Sequence, residues 1–368
     1  MSLTKREKEI YEHIKSNPMV SQEELANTVG ISRSAVAGHI ANLIKKGYIN
    51  GRGYVVNDKK GVTVIGGANI DIKGMTFDTL KKHTSNPGHV EITLGGVGRN
   101  IANNLALLDV PVTFLSIVGS DDEGKRIITE TRKTGVNCEH IAISNAKHTG
   151  IYLAIIDNTG DMDIALSGME ILEELNIKYL EKKIDIINNS RIVVIDANIP
   201  EASIEYIVDA CARKNIPVLA EPVSIDKSKK LKEVLGNIDY ITPNRDELGS
   251  LLETEIINDD DMIKATKEIR KLGTKNVIVT LGERGVYISS DDYEGYLDSY
   301  KVNVIDATGA GDALTAGFIY GIINDMSIED SARYGIAAAT FTLSSSETVN
   351  PFLNKKILDK IVKENEYV

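Results

Sequence analysis

The chain has 368 residues, 42% apolar and 26% charged, which fits a folded globular protein with core enough for two domains and excludes a disordered chain. Its net charge of −11 is unevenly spread: residues 1–60 carry ten Lys and Arg against six Asp and Glu, a net +4, and the remainder carries −15, so two modules with different partners are expected. The apolar runs are too short to span a membrane, no signal-peptide core opens the chain, and Cys138 and Cys211 stand apart from each other and from any His pair. We therefore expect a cytoplasmic protein with no membrane partner, no disulfide framework and no zinc site.

In chain order, residues 1–60 read as three helices and a hairpin. Ile10, Tyr11 and Ile14 recur at helical spacing in TKREKEIYEHIKS, behind the capping-box pair Thr4 and Glu7. Ser21 with Glu24 repeats the signal in SQEELANTVG, which closes on Gly30. A third helix begins at Ser32 and stops at Gly47, and the short link VGIS makes the pair a helix-turn-helix. YINGRGYVV then offers two short β segments around Asn50-Gly51-Arg52-Gly53. The run resembles the winged-helix domains of bacterial transcription regulators. That resemblance implies a third helix in the major groove, with Ser32, Arg33, Ser34 and His39 as contacts, Arg52 on the wing and DNA as the partner of residues 1–60. The alternative is a small helical module used for docking or dimerisation, since the positive excess is modest.

From Gly61 to residue 368 the texture changes. VTVIGGANID, VTFLSIVG, RIVVIDANI, IPVLAEP, DYITPN and NVIVTLG are apolar segments of strand length. Several alternate with helical stretches such as NIANNLALL, EYIVDACARKN and DDMIKATKEIRKLG. Strands buried on both faces and separated by helices predict an α/β domain with a mostly parallel central sheet flanked by helices. SNPGHVEITL and TGIYLAIIDNTGDMDIAL alternate instead, predicting a small β lid from about residues 73–94 and 149–168.

Chemistry concentrates in a few runs. NVIDATGAGDALTAGF sets Gly309, Ala310 and Gly311 before Asp312 and then continues at helical spacing, which suits a tight turn delivering N–H groups to an anion at a helix N-terminus. In PNRDE, Asn244 and Glu247 read by themselves as an N-cap and its capping-box partner, and TLGERGV reads as a strand-to-strand turn. Asp71 reads either as a turn former before Gly74 or as a carboxylate leaving the first strand. No G-x-x-x-x-G-K-[ST] run exists, and GGVGRN and GAGDAL each lack the third glycine of a dinucleotide fingerprint.

GGANID, LGGVGRN, PNRDE, TLGERGV and DATGAGD, in this order from about residue 62 onward, resemble the ribokinase-like (PfkB) family of sugar and nucleoside kinases. The resemblance implies a ribokinase-like fold, preceded here by the all-α winged-helix domain, and ATP-dependent phosphorylation of an alcohol. Asp312 would be the general base and the amides of Gly309, Ala310 and Gly311 the anion hole. Asn69, Asp71, Gly95, Gly96, Asn100 and Thr149 would hold the acceptor, and Asn244, Thr280, Gly282 and Gly285 the ATP. Glu247 would help arrange Mg²⁺, and Asp306 and Thr308 would face a K⁺ ion. A homodimer formed through the lid is implied as well. GGANIDIKG, SNPGHVEITLGGVGRNIANNLALL, DNTGDM and NVIDATGAGDA resemble most the branch acting on the 5′-hydroxyl of the C-nucleoside pseudouridine. Val97 stands where ribose-directed members carry a lysine, and Arg99 is either an acceptor contact or a solvated helix charge.

Overall fold

The computed structural model describes residues 3–50, 55–56, 61–159 and 162–364. Residues 5–16, 22–29 and 33–45 are helices, and the capping boxes Thr4/Glu7 and Ser21/Glu24 both form. Ser32 caps the third helix through the amide of Ala35. Ile49–Asn50 pairs antiparallel with Val55–Val56, while the turn residues Gly51 to Gly53, and with them the wing contact expected of Arg52, lie outside the described residues. Ile10, Ile14, Leu25, Val36, Leu43 and Ile49 fill a core separate from those of the larger domain.

The larger domain is built on eight strands in the spatial order 294–297, 286–289, 276–280, 240–241, 218–221, 192–196, 62–65 and 112–115. The six from 276–280 onward in this order run parallel, and the first two join antiparallel. Their Val and Ile side chains are buried on both faces, as a sheet covered by helices requires. One face packs against helices that include Val97–Leu107, Ala310–Ile323 and Ile328–Leu343, and the other against helices that include Glu201–Lys214 and Asp259–Leu272.

A second sheet of four strands, in the order 162–168, 150–156, 69–76 and 88–95, stands apart from the first. It begins at Asn69, earlier than the alternation signal suggests, because Asn69 and Ile70 are buried where the strand leaves the main domain and carry no polar-out pattern. Asn69–Thr76 pairs antiparallel with Gly88–Gly95 and parallel with Gly150–Ile156. Asp71 sits within this ladder, opposite Thr93 and Tyr152, so the turn-former alternative for it is wrong.

Candidate active site

The DATGAGD run forms a loop and the first turn of the helix Ala310–Ile323. Gly309 is the residue before that helix, at φ 80°, and a Cβ there would overlap the carbonyl of Thr348. Only glycine meets both conditions. Nothing lies within 4 Å of the position a Gly311 side chain would take, which leaves room beside the amides for a ligand. Among the described residues the amides of Gly309 and Gly311 have no protein acceptor, whereas that of Ala310 turns back to the Ala307 carbonyl at 3.4 Å. Two of the three expected anion-hole donors are thus free to bind an anion at a positive helix end.

Asp312 follows in the same turn. Its Oδ2 accepts a 2.8 Å hydrogen bond from the Asn100 amide. Burial lifts its pKa to about 7 against that hydrogen bond, and the carboxylates of Asp196 and Asp71 push in the same direction as burial. A carboxylate titrating near neutrality can accept an alcohol proton with useful driving force.

Asn100 reaches this point because Gly96, at φ 100°, starts the helix Val97–Leu107 beside the Gly67–Ala68 backbone. Asn69 donates to Asp71 at 2.5 Å, and a Cβ at Gly95 would collide with the Asp71 carboxylate. Burial raises the pKa of Asp71, partly offset by Asn69, Lys73 and Arg99. Asn69, Asp71, Gly95, Gly96, Asn100 and Asp312 therefore gather at the root of the lid. Thr149 takes a different place: its hydroxyl donates to Asp121 and accepts from the Gly119 amide at 2.9 Å, anchoring the start of a lid strand.

On the other side of Gly311 opens a cavity of about 530 Å³, lined by Gly282, Gly285, Val302, Val304, Ile336 and Leu343 among others. Its apolar walls and glycine rim suit an aromatic base with backbone close to ribose and phosphates. Thr280 also lines it and forms a β-bridge with Asn244. Asn244 and Glu247 make the reciprocal capping box, each bond 2.9 Å, and burial raises the Glu247 pKa. Asp306 Oδ1 accepts from the amide and hydroxyl of Thr308 at 2.7 and 2.6 Å. Burial opposes ionisation of Asp306, but these bonds and Lys73 hold its pKa below the usual carboxylate range.

Two carboxylates at strand ends escaped the sequence reading. Asp196, fully buried at a strand end, accepts from the amides of Gly67 and Gly98 at 2.8 Å each and of Asn198 at 3.0 Å. It ties the GGANID loop to the helix that presents Asn100. Glu221 accepts from Thr242 at 2.6 Å and Thr315 at 2.9 Å, one turn along the Asp312 helix, and burial drives its pKa to about 8. A carboxylate closing an apolar strand, as in RIVVID and VLAE, is the signal that could have found both. Arg99 is buried as well. It is 7% exposed and donates to the Leu94 carbonyl, Thr131 and Asn100 at 2.8, 3.1 and 3.3 Å, so the solvated-charge alternative is wrong. Burial lowers its pKa to about 10.

In the helix-turn-helix, Ser32, Arg33 and Ser34 are exposed and His39 is half-buried, all at the start or on the flank of the third helix. The Ser32 and Ser34 hydroxyls lie 3.0 Å apart.

Comparison with known proteins places these features. Residues 59–356 match the pfkB family of carbohydrate kinases, and residues 3–50 match a winged helix-turn-helix DNA-binding family. A sugar kinase of Escherichia coli K12, YeiI, itself uncharacterized, is 34% identical over 96% of this chain and 97% of its own length. Pseudouridine kinase of the same organism is 35% identical over 84% of this chain and 99% of its own length. The structure of Arabidopsis thaliana ribokinase complexed with ribose and ATP superposes with a TM-score of 0.75 at 24% identity, over 83% of this chain and 99% of that one, and shares the fold.

Proposed function

Because the chain belongs to the pfkB carbohydrate kinase family, a phosphotransferase family acting on sugars and nucleosides, we propose that it moves the γ-phosphoryl group of ATP to the 5′-hydroxyl of pseudouridine. The observation that carries the chemical part is Asp312: a carboxyl titrating at about 7, held by Asn100 at 2.8 Å, on the helix at whose N-terminus the amides of Gly309 and Gly311 are free. Asn69 and Asp71 bind neighbouring sugar hydroxyls, since a carboxylate can accept two hydrogen bonds side by side. Asp312 takes the 5′-hydroxyl proton as the oxygen attacks phosphorus, and ADP leaves toward the Gly282–Gly285 rim. The amides of Gly309 and Gly311 face the charge that develops on the transferring group, where fixed donors act most strongly.

The donor set around Asn244 fits Mg²⁺. Glu247 is a buried carboxylate whose Oε2 accepts the cap hydrogen bond from the Asn244 amide, Asn244 Oδ1 adds a second oxygen, and among the described residues no three acidic, His or Cys side chains converge to form a protein cage. Magnesium there would neutralise phosphate charge. Glu247 and Asn244 would orient its water ligands.

Pseudouridine is favoured over ribose by the likeness to the Escherichia coli pseudouridine kinase over nearly all of that protein and by Val97 in place of a lysine. The test is turnover of purified protein on ribose, fructose, adenosine, uridine and pseudouridine. Preferential turnover of pseudouridine is expected, and preference for any other compound overturns the assignment.

A second role rests on the amino-terminal module. Its match to a winged helix-turn-helix family and the exposed Ser32, Arg33 and Ser34 support DNA binding by the third helix. The likeness to YeiI extends over 96% of this chain, so it takes in this module as well. Lid residues Ile92, Ile164 and Leu166 are at least half exposed, which supports a homodimer that buries them.

A further inference from the structure

Lys73 lies on the lid strand Asn69–Thr76, two residues beyond Asp71, and strand alternation puts it on the same face as Asn69 and Asp71. Its register neighbours are Glu91 and Ala154, yet its ammonium goes to neither. It crosses to the loop before the Asp312 helix and donates to Asp306 Oδ2 at 3.2 Å and to Thr308 Oγ1 at 3.1 Å, with both charged groups only about one-third exposed or less. The Asp306 carboxylate therefore has two jobs. One oxygen fixes the amide and hydroxyl of Thr308, the residue immediately before Gly309, and the other meets a cation delivered by the lid. The loop carrying the anion hole and the strand carrying the acceptor residues are joined at this pair.

We propose that Lys73 is a positioning residue: a built-in cation that neutralises Asp306 and latches the acceptor-binding strand to the anion-hole loop. It carries the unit charge expected of a monovalent ion at Asp306 and Thr308, and supplies it from the strand that holds the sugar. Seating of the acceptor and ordering of Gly309 to Gly311 are then one event. This rests on the kinase reading for its consequence in catalysis, and on geometry alone for the latch.

The consequence is a cation requirement that appears only when the lysine is removed. Thermal unfolding in KCl and in choline chloride at equal ionic strength compares wild type, Lys73→Met, and the double variant Lys73→Met/Asp306→Asn. The wild type melts alike in both salts. Lys73→Met leaves Asp306 uncompensated and melts several degrees higher in KCl, and the double variant loses that difference. In turnover, Lys73→Met loses about 10- to 100-fold in kcat in choline, recovers with K⁺ while KM for ATP stays put, and Lys73→Arg retains activity. Equal melting of Lys73→Met in the two salts, or a K⁺ effect of the same size in wild type, overturns the latch. Should Lys73→Met not fold, the single variant Asp306→Asn must lower kcat and the double variant must restore folding; a double variant that also stays unfolded overturns it too. Melting needs no acceptor, so failure of the wild type to phosphorylate any compound in the panel would sink the kinase reading without deciding this one.

Discussion

Asp312 combines two demands that pull against each other, a carboxylate needed in its ionised form and a site that penalises the charge. Burial and the nearby Asp196 and Asp71 set its pKa at about 7. Only the ionised form can accept a proton, so kcat/KM should drop tenfold per pH unit below about 7 and level off above it, which a pH–rate profile measures. Asp312→Asn keeps the shape and removes the base, with an expected loss of about 10²–10⁴-fold in kcat and unchanged binding of both ligands by calorimetry. The same shift has a stability consequence. A folded-state pKa above the ordinary aspartate value of 3.8 means that the folded protein holds a proton the unfolded chain releases, so stability falls as pH rises from about 4 to about 7. Asp312→Asn escapes this loss, and its melting temperature relative to wild type should climb across that interval and then stay constant.

The short helix Arg245–Leu251 does two things with one pair of side chains, since Asn244 and Glu247 cap it and are the candidates for arranging the metal. Substitutions separate the roles. Glu247→Gln preserves the reciprocal cap and should leave stability nearly unchanged while raising the Mg²⁺ concentration needed for half-maximal turnover. Glu247→Ala removes the cap too and should cost about 1 kcal/mol in denaturant unfolding. At the Ala310–Ile323 helix, Gly309→Ala meets both a positive φ and the Thr348 carbonyl. Roughly 1–3 kcal/mol of destabilisation is expected, with a fall in kcat because the free amides turn away.

At the scale of the molecule, the amino-terminal helices close on their own core and the kinase domain on two others, one on each face of the large sheet. A chain starting at Gly61 should therefore keep its turnover while losing DNA affinity. If the third helix meets phosphates, affinity of the full chain for duplex DNA must fall steeply between 50 and 200 mM salt, roughly as the number of phosphates contacted. Flat or absent binding in a gel-shift series would remove the DNA role. Leu166→Asp together with Ile164→Asp should yield monomers in sedimentation if the exposed lid face is the dimer surface.

Local signals were strong wherever one stretch of chain supplies both the residues and the reason for them. The capping boxes at Thr4, Ser21 and Asn244, the helix-turn-helix spacing, the apolar strands and the glycines before Asp312 are all contiguous patterns, and each formed as a local element. The family likeness was carried by such runs for the same reason. What the sequence could not determine are contacts between residues far apart along it: Lys73 with Asp306, Asn100 with Asp312, and Asp196 with Gly67 and Gly98. The same holds for the burial of Arg99, which in sequence looks like any other charge. Propensity and periodicity act over a few residues, whereas partners and pKa values depend on which distant groups share a desolvated volume. That volume exists only once the lid sheet has been set against the parallel sheet, and the tertiary structure alone decided it.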